Sequence, residues 1–215
     1  MDQESSTLTA SSRYSLQRLE RITDLVFAVS LLLLLLQLDL PNVQQISPAE
    51  INHFLRDQLP SLQIYITTFV LIAFYWQSNL SQMRRYKSCD GVLLWCHLLG
   101  LMGVAFLPYV NNLLERFPLV ASVQLIYSLT LAHVGVFALL AWLYACRRPE
   151  QLLLPMPSLE RLVVSLEAAI EPLICLLSIS VSLLISPDWW EWSFLLFLPA
   201  YGLMLLWQNS LAPEE

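Results

Sequence analysis

RLERITDLVFAVSLLLLLLQLDLP, from Arg18 to Pro41, is the stretch that decides the reading of this 215-residue chain. Its core is six consecutive leucines, Leu31 to Leu36. A leucine run of this kind is what a bilayer-facing helix presents, because hydrocarbon selects only for apolarity along such a surface. Its charged start is more specific. Asp24 falls in the first turn of the apolar stretch, where a carboxylate favours the positive helix terminus, and Arg21 lies three residues back on nearly the same face. Taken alone, this is an ordinary charged helix start at a membrane interface.

The rest of the chain has the same character. Hydrophobic residues make up 57% and charged residues 13%, whereas a soluble globule carries roughly a quarter charged residues. This balance describes an integral membrane protein and argues against a soluble enzyme, a disordered chain or a disulfide scaffold. A net charge of -6, with no basic stripe along an exposed helix, argues against nucleic acid as a partner. Cys89, Cys96, Cys146 and Cys175 have no CxxC spacing and no neighbouring histidine cluster, so neither a disulfide nor a zinc site is expected. The first apolar run is too long for a removable signal peptide and lacks a small-residue cleavage site, so it is expected to be retained.

A spanning helix needs roughly 20 apolar residues. Stretches of that kind fall near 22–40, 60–82, 92–113, 118–146, 160–186 and 189–209, which predicts an all-α, six-span membrane domain over 1–215 with a polar cytoplasmic tail at 1–17. Between the first two spans, residues 42–58 are too polar to cross; Ser47, Pro48 and Glu50 form a helix-start pattern that predicts a short surface helix on the extracytoplasmic side. Leu-Glu-Arg-Phe-Pro at 114–118 predicts a tight hairpin, with Pro118 opening the next helix. Trp189, Trp190 and Trp192 read as interfacial anchors. Arg13, Arg18, Arg21, Arg84, Arg85, Lys87, Arg147, Arg148 and Arg161 fall on one side of this arrangement, and only Arg56 and Arg116 on the other. The positive-inside rule then places both termini in the cytoplasm.

The quoted helix resembles the signature opening span of the transmembrane protein 175 family of potassium channels, RxxxFSD followed by a phenylalanine, an alanine and leucine-rich sequence. Arg18 falls on the motif arginine, Ile22-Thr23-Asp24 on Phe-Ser-Asp, and Phe27-Ala28 on the following pair. Residues 69–114 are similar to the family's second and third spans through Tyr75-Trp76, Asp90 and Phe106-Leu107-Pro108. The resemblance implies a homotetramer in which the first span of each subunit lines a central, potassium-permeable pore. It implies a prokaryotic plasma (inner) membrane as the location and permeant potassium ions in place of any cofactor. Carried over by position, the constriction would be formed by Val29, Leu33 and Leu36, whose i, i+4, i+7 spacing places them on one helical face.

No TVGYG-like stretch exists and only Gly91, Gly100, Gly103, Gly135 and Gly202 are available, so the usual backbone-carbonyl filter is not expected. Rings of apolar side chains that exclude water when narrow would gate such a pore. Two departures bear on function. Leu32 stands where family members often carry a pore-lining threonine, and Asn79 stands in place of a histidine that follows the tryptophan of the second span. Asn79 can exchange hydrogen bonds but cannot titrate. Arg18, Thr23, Asp24, Trp76 and Asn79 are expected to form a polar cluster that fixes the first span to the bundle.

Glu167 and Glu171, four apart in the fifth span, mark the strongest other site. Carboxylates inside a membrane can bind a cation or relay protons, so a proton- or cation-coupled secondary transporter is the alternative function. His97 and His133 read as packing residues on apolar helices, and Gly100 and Gly103 as sites of close helix approach. No nucleophile, base and orienting group recur at a catalytic spacing, so an enzyme is not expected.

Overall fold

The computed structural model describes residues 2–38, 48–197 and 199–203. It is a bundle of helices: α1 (Asp2–Leu35), α2 (Pro48–Asp57), α3 (Leu59–Met83), α4 (Gly91–Arg116), α5 (Ala121–Cys146), the short α6 (Pro149–Leu152) and α7 (Ser158–Leu184). Two 3-10 turns, Pro187–Trp189 and Glu191–Leu196, lead into helical residues 199–203. Among the described residues there is no strand, and an isolated antiparallel bridge joins Tyr86 to Leu153.

Among the described residues four helices are long and apolar enough to cross a membrane, namely α3, α4, α5 and α7. The first expected span lies within α1, which runs back through the polar segment to Asp2 and ends at Leu35, with a turn following to Leu38. Its charged residues from Arg18 to Asp24 confine the apolar portion to about 25–36. The last expected span begins as 3-10 turns rather than as a continuous helix from 189. Its end, with Ser47 of the helix-start pattern, lies outside the described residues. A short helix is present in that segment as α2, with Glu50 in its first turn. The hairpin forms as expected, but α5 starts at Ala121 and Pro118 lies in the turn before it.

Local chemistry accounts for these boundaries. Asp90 has extended backbone and its Oδ1 accepts the Leu93 N–H at 2.9 Å, satisfying one of the donors that a helix start leaves open. Tyr144 donates to the other carboxylate oxygen at 2.6 Å, which ties the start of α4 to the end of α5. The segments 84–90 and 147–157 meet at the same end of the bundle. The Lys87 N–H donates to the Leu152 carbonyl at 2.7 Å, the Leu154 N–H to the Arg85 carbonyl at 2.9 Å, and Arg85 Nε to Glu160 at 2.9 Å. Burial pushes the Tyr86 phenol well above its usual range, and the Cys89 thiol up to about 11, so neither ionises at neutral pH.

The core is formed chiefly by α4, α5 and α7, with α1 laid across α4 and α3. Glycine sets two of these approaches. A Cβ on Gly103 would lie 2.8 Å from both His133 Cδ2 and Val134 Cγ2, and one on Gly135 would lie 2.9 Å from Pro172 Cδ. The expectation for Gly103 therefore holds, while Gly100 would meet Phe137 only at ordinary contact distance, 3.5 Å.

Pro108 sits inside α4 and has no N–H, so the Val104 carbonyl one turn earlier loses its helical donor. The Ser30 hydroxyl of α1 donates to that carbonyl at 3.1 Å. A backbone defect in one helix is thus closed by a side chain of another, in a region where water is unavailable to do it. Ser30→Ala is expected to lower stability by about 1 kcal/mol, within the range for orphaning a buried acceptor and for hydrogen bonds between membrane helices. In a Pro108→Ala background, where residue 108 regains its N–H, the same substitution should cost much less. Unfolding of the four proteins in detergent, read as a double-mutant cycle, measures the difference; equal costs in both backgrounds would refute the pairing.

Candidate functional site

Helix α1 has two distinct sides. Leu19, Thr23, Phe27, Ser30 and Leu34 are buried, at the three- and four-residue steps of a helical stripe. Leu19 joins Met83, Tyr86, Leu93, Trp142 and Leu153 at the basic end, while Phe27 and Leu34 enter the main core. On the other side Ile22, Leu25, Val29, Leu32, Leu33 and Leu36 are exposed, with Val29 at 44%, Leu33 at 42% and Leu36 at 70%. An apolar stripe of this length on a single chain faces lipid or another protein surface.

Hydrogen bonds hold α1 in this orientation at three heights. Near its charged start, Trp76 Nε1 of α3 donates to Asp24 Oδ1 at 2.9 Å. Ser30 closes the α4 defect midway. At the far end Gln37 Nε2 donates to the Pro108 carbonyl at 2.5 Å, and Asn111 Nδ2 donates to Gln37 Oε1 at 3.1 Å. The network continues inward, where the Thr68 hydroxyl donates to Asn111 Oδ1 at 2.6 Å and meets the Tyr127 hydroxyl at 2.7 Å. One polar chain behind the leucine run thus links α1 to α4, α3 and α5.

The expected polar cluster divides into parts. Asp24 and Trp76 are brought together. Asn79 turns inward, with its Nδ2 3.4 Å from Nδ1 of the buried His97, while Asn79 Oδ1 and His97 Nε2 have no hydrogen-bond partner among the described residues. Thr23 is buried and its hydroxyl likewise has no such partner. Arg18 lies on the exposed side of α1 and takes part in an interaction of its own. His133 sits 2.8 Å from the Leu99 carbonyl, in the packing role expected of it. Trp189 and Trp192 are both 61% exposed, as interfacial anchors are, but Trp190 is buried at 4% and donates to Ser128 at 2.9 Å. The tryptophan run therefore divides, because a turn sends neighbouring rings in different directions.

Ser30, Gln37, Thr68 and Asn111 did not stand out in the sequence. A signal was present nonetheless: a proline within a span implies an orphaned carbonyl one turn earlier, which some neighbouring hydroxyl or amide must reach. Glu171 is fully buried and accepts a hydrogen bond from Tyr201, while Glu167 is buried one turn away. Among the described residues no group of three or more metal-ligating side chains is gathered.

The model of the endosomal/lysosomal potassium channel TMEM175 family matches residues 18–108. A potassium channel of Streptomyces collinus is 30% identical over 100 residues, covering 46% of this chain and 48% of that protein. The endosomal/lysosomal proton channel TMEM175 of Gallus gallus is 24% identical over 94 residues, covering 44% of this chain and 19% of that protein. The matched region therefore spans about half or less of these curated relatives. The crystal structure of a lysosomal potassium-selective channel TMEM175 homolog from Chamaesiphon minutus superimposes with a TM-score of 0.74 at 20% identity, covering 91% of this chain and 99% of that one. That of a single-residue variant of the potassium channel MtTMEM175, in complex with a nanobody fusion, gives 0.60 at 17% identity over 89% and 91%. The resemblance read from Arg18 to Leu114 is borne out, and the fold is shared along nearly the whole chain.

The Asp24–Trp76 contact is half-exposed, so its energy is modest. Asp24→Ala and Trp76→Phe are each expected to cost about 1 kcal/mol of stability, with the double variant no worse than either alone. Additive losses on unfolding in detergent would show that the two side chains act separately.

Proposed function

We propose that this chain, similar over residues 18–108 to the TMEM175 channels, forms a potassium-permeable cation channel. The observation that carries the reading is the division of α1. One face is pinned to the bundle by Ser30, Asp24 and Gln37, and the other presents Val29, Leu32, Leu33 and Leu36 away from the subunit's own core. One such helix cannot enclose a path for ions. Four copies around an axis can, and a homotetramer of six-span subunits is the assembly we assign.

In that assembly Val29, Leu33 and Leu36 form successive apolar rings, and Leu32 replaces a hydroxyl layer with a further apolar contact. Narrow rings of this kind shed water and block ions; helix separation rewets them. Potassium is favoured over sodium through its lower dehydration cost, a weaker discriminator than a cage of carbonyl oxygens. The name of the Streptomyces collinus relative supports potassium as the permeant ion. The gathering of the basic segments 84–90 and 147–157 at one end, joined by the backbone bonds of Lys87 to Leu152 and of Leu154 to Arg85, supports cytoplasmic termini in a prokaryotic plasma membrane. The buried Glu171 favours, as the second reading, a coupled transporter using Glu167 and Glu171.

Purified protein in potassium-loaded liposomes tests the proposal. Potassium efflux is expected without any counter-substrate, at a rate that Glu171→Gln leaves intact. Leu33→Ser should raise efflux about tenfold or more, because a hydroxyl ring lowers the dewetting barrier by an amount comparable to a hydrogen bond. A monomer by native mass spectrometry, or efflux that ignores substitutions at Val29 and Leu33, would refute the pore. Transport that needs an imposed proton or cation gradient and is lost in Glu171→Gln would favour the transporter.

A further inference from the structure

The proposed pore makes no use of the most deeply buried carboxyl among the described residues. Glu171 of α7 is 0% exposed, at the point where α5, α7, α3 and the last described helical residues converge. Its Oε1 accepts a hydrogen bond from the Tyr201 hydroxyl. Its Oε2 has no hydrogen-bond partner among the described residues, and neither does the Ser78 hydroxyl of α3, which lies beside both Glu171 and Tyr201. The close approach at Gly135, where a Cβ would lie 3.0 Å from Glu171 Cβ, leaves little space for water on the α5 side.

Among the described residues, the groups facing this carboxyl carry no positive charge. Glu167 and Cys175 face it from α7, Tyr75 from α3 and Tyr201 from the last helical segment. The Tyr75 hydroxyl itself is committed to the Leu131 carbonyl of α5 at 3.0 Å. A carboxylate here would be an unpaired charge within hydrocarbon and beside a second acid, an arrangement that costs several kcal/mol.

We propose that Glu171 is a proton-binding site within each subunit, separate from the α1 face, in which one resident proton on Oε2 allows the last helical segment to dock on α3 and α7. The proton comes from solvent as the segment packs. The neutral acid then accepts from Tyr201 through its carbonyl oxygen, Oε1, and offers Oε2–H toward Ser78, so one proton serves the two polar atoms otherwise left without partners. The stacked rings of Phe74 and Tyr201, 4.6 Å apart, and of Phe74 and Phe197 complete the docking.

Infrared difference spectroscopy of the full chain in lipid nanodiscs tests this directly. The expected result at neutral pH is a carbonyl stretch of a protonated carboxylic acid that disappears in Glu171→Gln and persists in Glu167→Gln. Tyr201→Phe keeps the carboxyl while removing the donor to Oε1, so the band should remain and move to higher frequency. It provides the test even if Glu171→Gln fails to fold. No such band in the wild-type protein, a band unchanged by Glu171→Gln, or a frequency indifferent to Tyr201→Phe would each overturn the assignment. Potassium efflux measured on the same preparation keeps the two readings apart: a band meeting all three expectations without efflux upholds the proton site and refutes the channel.

Discussion

A polar backbone within hydrocarbon must find its hydrogen bonds inside the protein, and this structure turns on one place where a helix does not supply them. Pro108 interrupts the ladder of α4 at Val104, and Ser30 of α1 fills the gap. The same proline's own carbonyl receives Gln37. Two of the three contacts that orient α1 therefore fall on carbonyls one turn apart in α4, those of Val104 and Pro108. With its rotation fixed in this way, the leucine run acquires an inner and an outer side that its composition does not encode.

The remaining packing preserves that arrangement. Gly103 and Gly135 bring α5 against α4 and α7 at distances that a methyl group would prevent. The basic end is closed by the bridge between Tyr86 and Leu153 and by the capping of α4 through Asp90. The far end is closed by Gln124, whose amide donates to the carbonyls of Pro118 and Pro187 at 2.8 and 2.9 Å. The core helices are thus joined at both ends and in the middle. The surface of α1 that bears Val29, Leu33 and Leu36 is left open on the chain.

Much of this was legible in the residues. The apolar stretches located α3, α4, α5 and α7, and the pattern from Arg18 through Asp24 to Phe27-Ala28 identified the relatives before any geometry was at hand. Asp24 and Trp76, 52 positions apart, do meet. What could not be read was partner choice. Asn79 and His97 gave no sign of facing one another, and Trp190 looks like its neighbours until a 3-10 turn buries it against Ser128. The start of α5 was misplaced because proline favours both a first helical turn and the turn before one, and local sequence does not separate the two.

The sequence by itself determined that the chain is membrane-embedded and helical, and which known channels it resembles, because hydropathy and short motifs act residue by residue over a single turn or span. The tertiary structure decided which side of α1 is held and which is open, how the expected polar cluster divides, and that Glu171 lies sealed against Tyr201. Those outcomes depend on the rotation of each helix about its axis. That rotation is set by hydrogen bonds and close contacts between residues tens of positions apart, and no local pattern records them.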